Sequence, residues 1–223
     1  PLGAVNYYVS PSGNNNANGL TPATAWLSPD NGDQKSLLVP GDTVNLLPGT
    51  YNILSTLQFK TNGTASNPIT YRRWGKDRVI INGQDESNIL LVMEGDHVIV
   101  KGIDFTNTKE HGIQLKADSC LIYDCYIHDV GKMGIRVERS YNIILKNIIV
   151  WAGESGIKNE DGGKNNKYYG NTIYFNNHHG LELMEQVKTA RIFNNIIAQN
   201  VQVGIRGKTE NICGFNNVWG NLG

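Results

Sequence analysis

The second half of the chain repeats every 22 to 24 residues, and this period constrains the fold more than any other feature. A glycine followed by an aliphatic residue recurs at Gly112, Gly134, Gly156, Gly180 and Gly204. Apolar and polar residues alternate in these runs, as at residues 113–116 and 135–138, which is the period of a half-buried strand. A unit of this length is too short for a two-helix repeat, but it holds two or three short strands.

One such unit cannot bury its own apolar face, whereas stacked copies bury a continuous core. The repeat therefore predicts an all-β fold, a parallel β-helix of about six or more coils. The chain is rich in turn residues, with 28 asparagines and 25 glycines. We interpret the recurring corner positions as structural: Asp124, Asn147, Asn171, Asn195 and Asn217. Leucine-rich repeats share the period, but isoleucine and glycine replace their leucine consensus here.

The first half of the chain does not show the period clearly. We interpret residues 4–97 as an irregular N-terminal cap with the first irregular coils, and residues 98–223 as regular coils of one continuous domain. Residues 1–3 are interpreted as an extraneous remnant and left out of the argument. Because the sequence stops directly after a repeat, we expect a partner or a missing segment at the C-terminal edge.

Charge and hydropathy exclude several classes of partner. The 20 basic and 20 acidic residues balance, and no phosphate-binding loop is visible, so no nucleic-acid partner is expected. No stretch approaches eighteen consecutive apolar residues, so we expect no membrane span. Three cysteines cannot all pair within one chain, and we interpret them as small buried hydrophobic residues: Cys120, Cys125 and Cys213.

Three motifs in the first half bear on the family. They are NYYVSPSG at residues 6–13, PGDTV at residues 40–44 and GTASNPIT at residues 63–70. They resemble the opening of secreted bacterial right-handed parallel β-helix proteins, in particular the family-nine polysaccharide lyases of the pectate lyase type. The resemblance implies a right-handed helix, a carbohydrate-active function and a secreted or cell-surface location, although the chain given contains no signal peptide.

The sequence also departs from that family. Family-nine lyases use a lysine base and a calcium ion held by a cluster of aspartates, whereas the regular coils contain no aspartate-rich tract. No catalytic residue is therefore carried over from the resemblance. The site has to be predicted from this chain alone.

The repeat makes side-chain neighbours predictable. Parallel strands stack about 4.8 Å apart, so residues of the same rank in successive coils form outward ladders. The ladder two positions after each repeat glycine, here named the central ladder, contains Gln114, Arg136, Lys158, Glu182 and Arg206. The ladder four positions after, here named the edge ladder, contains Lys116, Glu138, Glu160, Met184 and Lys208.

Arg136 and Lys158 are the predicted catalytic residues. Cleavage of a uronate polymer by β-elimination needs a cation to neutralise the substrate carboxylate and a base to remove the neighbouring proton. An arginine binds a carboxylate with two nitrogens, and a lysine beside another cation can act as the base. The predicted substrate-binding residues are Lys116, Arg206, Lys208, Gln114, Glu182, His179, Tyr168 and Trp151.

A calcium site is predicted beside this pair. Asn159 occupies the position where three other repeats have Leu115, Val137 and Leu183, and an acidic turn follows it. An inward amide must be hydrogen-bonded, so either the strand ends early or the site is special. The predicted calcium ligands are the carboxylates of Glu138, Glu160, Asp161 and Glu185. The alternative is an ordinary turn rich in aspartate and glycine.

The sequence thus favours a secreted protein that binds an acidic polysaccharide and cleaves it by β-elimination. Two alternatives stay open. The ladders could be solvated charges on a non-catalytic glycan-binding or cell-surface module. The chain could also be a fragment of a larger enzyme.

Overall fold

In the computed structural model, which describes residues 3–222, the chain winds into a parallel β-helix of about seven turns. The predicted fold class is confirmed. Pro1, Leu2 and Gly223 lie outside the described residues, and the interpretation of residues 1–3 as a remnant stays a prediction. No helix in the described range has the length and hydropathy needed to cross a membrane.

Each complete turn contributes one strand to each of three parallel sheets. The first sheet contains Asn6–Val9, Thr43–Leu46, Ile69–Arg73, Val98–Lys101, Leu121–Tyr123, Ile143–Leu145, Lys167–Tyr169, Arg191–Phe193 and Ile212–Gly214. The second contains Gly49–Asn52, Val79–Asn82, Asp104–Thr108, Tyr126–Val130, Ile148–Ala152, Thr172–Tyr174, Ile196–Ala198 and Asn217–Trp219. The third contains Leu57–Phe59, Ile89–Met93, His111–Leu115, Ile135–Val137, Ile157–Asn159, Leu181–Leu183 and Ile205–Arg206.

The core is a stack of aliphatic side chains in register. In the third sheet, Ile113 pairs with Ile135, which in turn pairs with Ile157 on the next coil. All three side chains are fully buried. Burial of each contributes roughly 1.5–3 kcal/mol, and the same pattern recurs in the other two sheets. The alternation read from the sequence therefore places its apolar half inside.

Buried asparagines satisfy the backbone where the chain turns from the first sheet to the second. The Asn171 side-chain oxygen accepts hydrogen bonds from the backbone N–H of Asn147 (3.0 Å) and from its side-chain nitrogen (3.1 Å). The Asn171 side-chain nitrogen donates to the carbonyl of Ile144 (2.8 Å) and to the side-chain oxygen of Asn195 (3.0 Å). Each amide thus ties one turn of the helix to the next.

The corner assignment from the sequence is off by one residue at two positions. The ladder continues from Asn195 to Asn216, while Asn217 begins a strand. Asp124 precedes the corner and has a left-handed backbone (φ 55°), and the Cys125 N–H donates to Asn147. Two further asparagine ladders occupy the other corners, at Asn142 and Asn166 and at Asn176, Asn200 and Asn221. The three ladders account for nine of the 28 asparagines.

The N-terminal segment covers the first turn of the helix. In the sequence, a 3₁₀-helix at Pro22–Thr24 and an α-helix at Asn31–Gln34 connect the first two strands of the first sheet. Trp26 is fully buried and stacks on Tyr7 with 4.6 Å between ring centroids. Gly19 has φ +71°, and a side chain there would collide with the Trp26 indole. The cap therefore keeps the end of the core away from water.

The sheets run without interruption across residue 97, because Ile69–Arg73 pairs directly with Val98–Lys101. The boundary between irregular and regular coils stays an interpretation of the sequence. Cys120 and Cys125 are buried as expected, and burial raises the pKa of each thiol to about 12. Cys213 is exposed, contrary to the sequence interpretation, because it lies in the last first-sheet strand of the described chain.

Replacement of Asn171 by leucine tests the corner ladder. We expect the free energy of unfolding to fall by about 2–4 kcal/mol, because the buried Asn147 N–H loses its acceptor. The matching fall in Tm is roughly 5–15 °C. Thermal unfolding of Asn171→Leu and of the control Asn177→Ala, whose side chain is exposed, measures the difference. Equal Tm values in the two variants would contradict a structural role for the ladder.

Candidate functional site

The central ladder runs along the outer face of the third sheet as the repeat predicts. Strand register pairs Gln114 with Arg136, Arg136 with Lys158, Lys158 with Glu182, and Glu182 with Arg206. Arg136 and Lys158 are therefore direct neighbours on adjacent coils. The geometric prediction for the catalytic pair is confirmed, while the chemical roles assigned to the two residues stay predictions.

Arg136 is held by two glutamates of the edge ladder. Its Nε lies 3.0 Å from Glu160 Oε1 and 3.3 Å from Glu138 Oε1. Gln114 Nε2 also donates to Glu138 Oε1 at 2.5 Å. The one side-chain hydrogen bond of Arg136 found among residues 3–222 uses Nε. The two terminal nitrogens are thus left to bind a ligand from the outside.

Lys158 is held less tightly than its neighbours. Its Nζ lies 4.0 Å from Glu182 Oε2, and its side chain is 20% exposed. Glu182 is engaged more closely by Arg206 Nη1 (3.0 Å) and by Ser155 Oγ (2.8 Å). Because Glu182 already has these two donors, Lys158 has the longest ion-pair distance of the three central-ladder cations.

The charges of this surface balance. The three cations of the central ladder, Arg136, Lys158 and Arg206, face three carboxylates, Glu138, Glu160 and Glu182. All are at least partly exposed except Glu182, so each pair contributes little to stability, typically below 1 kcal/mol. Their effect is to fix the orientation of the side chains rather than to create a strong positive field.

Two histidines of equal rank border the central ladder. His179 Nδ1 accepts a hydrogen bond from the Val203 N–H (3.2 Å), and its Nε2 lies 3.3 Å from Arg206 Nη1. Burial holds its pKa below the ordinary value of 6.5. Burial and the nearby Arg136 guanidinium also lower the pKa of His111, to about 4. Both rings are therefore neutral at pH 7.

The predicted calcium ligands are not gathered into one site. No three of Glu138, Glu160, Asp161 and Glu185 have carboxylate oxygens within 4.8 Å of one another. Glu138 and Glu160 hold Arg136 instead, and Asp161 accepts from the Gln186 N–H (2.9 Å). The residues thus fit a charge-orienting role better than a calcium centre.

A different group of side chains comes close enough to share a cation. Within residues 3–222, His178, His179 and Glu182 offer ligand atoms that all lie within 4.8 Å of one another. However, Arg206 already contacts both His179 and Glu182. A metal ion would have to displace this guanidinium, so the group acts as a hydrogen-bonding network in the arrangement found here.

Tyr168 does not reach the surface, and its predicted contact with ligand is wrong. Its side chain is fully buried, and burial raises its hydroxyl pKa above the ordinary value of 10. The hydroxyl donates to Asn159 Oδ1 at 2.6 Å. Asn159 also donates to the Glu160 and Gly163 carbonyls, at 2.8 and 3.0 Å. Tyr168 therefore satisfies the inward amide of Asn159, whose role is structural.

The remaining predicted binding residues are spread over the surface. Trp151 is 51% exposed, but it belongs to the second sheet and has a left-handed backbone (φ 55°). Lys116 and Lys208 are exposed just beyond the ends of third-sheet strands. The sequence analysis did not predict a role for Ser155, which donates a hydrogen bond to Glu182. Ser155 precedes its repeat glycine, as His179 does one coil away, and this shared position could have indicated it.

The sequence of the chain matches a known protein family. The model of the Pel9A-like right-handed β-helix region matches residues 7–215. The chain therefore belongs to this family of pectate-lyase-like β-helices, and the resemblance read from its first half is confirmed. A search of curated proteins found no match.

Several solved structures share the fold. Pectate lyase Pel9A has a TM-score of 0.78 and 19% identity over 89% of this chain, and a rhamnogalacturonan lyase has 0.73 and 18% over 98%. The chain spans only 55% and 62% of these two proteins. An alginate lyase from Paenibacillus sp. str. FPU-7 has 0.62 and 17%, with 86% of this chain and 93% of that enzyme covered. At such identities the likeness shows the fold alone.

The buried His111 makes stability depend on pH. Its pKa is about 4 in the folded chain and 6.5 when unfolded, so between these values the unfolded state binds more protons. Stability is therefore complete above pH 6.5 and falls as the pH drops toward 4, by roughly 2–3 kcal/mol. Unfolding curves of the wild type and of His111→Asn across this range test the expectation.

His178→Asn is the control for that experiment, because His178 is exposed. It should follow the wild-type pH dependence, whereas His111→Asn should lose less stability in acid. A His111→Asn profile parallel to that of the wild type would contradict a buried neutral ring.

Proposed function

We propose that this protein binds an acidic, uronate-containing polysaccharide along the third sheet and cleaves it by β-elimination. The observation that supports the proposal most directly is the register pair Arg136 and Lys158. The Arg136 guanidinium is held through Nε, so its two terminal nitrogens can bind one substrate carboxylate. Lys158 lies on the next coil, within reach of the same sugar residue.

The reaction needs one proton transfer and one bond cleavage. Arg136 neutralises the carboxylate, which makes the hydrogen on the adjacent carbon more acidic. Lys158 is the general base that removes that proton. The glycosidic C–O bond at the next carbon then breaks, its electron pair leaves with the oxygen, and the oxygen takes a proton from solvent. The products are a new chain end and an unsaturated uronide.

The lyase neighbours support the class of substrate without identifying the polymer. The similar folds include enzymes named as a pectate lyase and an alginate lyase, and pectate and alginate are both carboxylated polysaccharides. Because this chain covers only part of the pectate lyase, the activity of that whole enzyme is a proposal here. We propose a secreted or cell-surface location for the same reason, since such polymers lie outside the cell.

A non-catalytic binding module is the second candidate, and the charge balance favours it. Glu138 and Glu160 both lie beside Arg136, so an approaching carboxylate meets two like charges as well as one cation. Such a surface can orient a polymer through hydrogen bonds without the positive field that strong acidification of the substrate requires.

The variants Arg136→Ala and Lys158→Ala separate the two candidates. If the protein is a lyase, each should lower the rate of unsaturated uronide formation on polygalacturonate or alginate by at least about a hundredfold. The ultraviolet absorbance of the product measures this rate. Arg191→Ala and Lys167→Ala are matched controls, because these residues lie on the first sheet.

Unchanged rates in both third-sheet variants would remove the proposed catalytic roles. Retention of the polymer without product in the wild type would instead select the binding module. Unfolding curves of all four variants distinguish a loss of activity from a loss of folding.

Calcium dependence stays a prediction from the sequence, and no step above requires the ion. The same assay run with added calcium and with a chelator tests it. A rate that falls in chelator and returns with calcium would establish the requirement, whereas equal rates would contradict it.

A further inference from the structure

A second polar cavity lies on the first sheet, away from the surface described above. Its volume is about 480 Å³, which is within the range of small-ligand sites. The side chains that define it are Arg72, Arg73, Trp74, Lys101, Tyr123 and Asp124. None of these residues belongs to the third sheet. The cavity is therefore formed on a different face from Arg136 and Lys158.

The cavity has an excess of positive charge. Arg72, Arg73 and Lys101 face a single carboxylate, that of Asp124. Asp124 lies 3.7 Å from Arg73, whereas Arg72 and Lys101 have no carboxylate within 4.0 Å among residues 3–222. On the third sheet every cation of the central ladder has a carboxylate partner. In a chain of zero formal charge, this imbalance gives the cavity a locally positive potential.

The two arginines are positioned by their neighbours. Arg72 Nε donates to the side-chain oxygen of Asn45 at 2.8 Å, and Asn45 is fully buried. The Arg73 side chain lies across Gly102, where a side chain would come within 3.4 Å of Arg73 Cβ. Gly102 also has φ +70° and thus keeps this space open. The Arg72 guanidinium is thus oriented by a buried hydrogen-bond partner, and the Arg73 guanidinium packs over a position without a side chain.

Aromatic rings line the same cavity. Trp74 is 40% exposed, and its indole is supported edge-on by Tyr8, with 5.3 Å between ring centroids. Lys101 Nζ lies 4.9 Å from the centre of the Tyr123 ring. An exposed indole offers an apolar surface for the flat face of a sugar ring, while its neighbours supply the charge.

We propose that this cavity is a binding site for a carboxylated sugar residue, separate from the third-sheet surface. Strand register places Arg72 beside Lys101 and Lys101 beside Tyr123, so one pyranose can contact a guanidinium, an ammonium and an aromatic ring together. A carboxylate suits the fork of donors that an arginine presents. The inference goes beyond the proposed function, because it requires binding here and no cleavage.

Affinity electrophoresis through gels that contain polygalacturonate tests the site. The parent for this test is the full chain with Arg136→Ala and Lys158→Ala, so the probe polymer is not cleaved by the proposed third-sheet pair. In that background we expect Arg72→Ala/Lys101→Ala to weaken retention at least about tenfold. Trp74→Ala should also weaken it. Lys167→Ala, which removes a first-sheet cation outside the cavity, should leave retention unchanged.

Neutral galactan and dextran sulfate gels complete the test. Retention by polygalacturonate but not by galactan, lost in Arg72→Ala/Lys101→Ala, supports the proposal. Retention that survives in this variant overturns it. An equal loss in Lys167→Ala, or equal behaviour in dextran sulfate, also overturns it, because the attraction would then be one of general polyanion charge. Loss of retention in the parent itself would place binding on the third sheet and overturn the inference.

A failed lyase assay does not affect this result, since the parent is already the double third-sheet variant. Unfolding curves of each variant show whether it is folded. The conservative pair Arg72→Gln/Lys101→Gln replaces the alanine variant if the latter unfolds.

Discussion

The structure depends on the requirement that every turn repeat the backbone path of the turn below it. Parallel strands alone leave the corner N–H and carbonyl groups without partners. Asn147, Asn171 and Asn195 supply these partners from one coil to the next, and each side chain is fully enclosed. Because a shift by one residue would break these bonds in succession, the ladders fix the register of all three sheets.

Because the register is fixed, the outward side chains of successive strands form regular ladders on the surface. Side chains of equal rank stand one strand spacing apart, so charges on successive coils interact directly. On the third sheet the cations and carboxylates interleave, and the surface is ordered but neutral. On the first sheet Arg72 and Lys101 are adjacent with no carboxylate between them. The same geometry thus produces a balanced face and a positive cavity on one chain.

Much of this could be predicted from the sequence. The spacing of the repeat glycines was enough to place Arg136 beside Lys158, and the alternation was enough to assign the core. Tyr168 was predicted to contact ligand because it follows the break at Asn159. In the structure its hydroxyl instead reaches Asn159 through the core, and a contact between two different sheets is not visible in the sequence. The calcium site stays a prediction, and the sequence did not indicate that two of its proposed ligands, Glu138 and Glu160, contact the Arg136 guanidinium, because no sequence pattern reports that rotamer.

The sequence by itself determined the period, the parallel β-helix and the ladders of the regular coils, because all three follow from local spacing. It did not determine the contents of the first-sheet cavity. Arg72 and Lys101 are neighbours in space, but they lie farther apart in the sequence than the length of one regular repeat. Trp74 contacts Tyr8, which belongs to the first strand of the chain. Contacts of this kind depend on the path of the loops that connect the strands of each irregular coil. The tertiary structure determines that path, because the irregular coils have no common period from which it could be predicted.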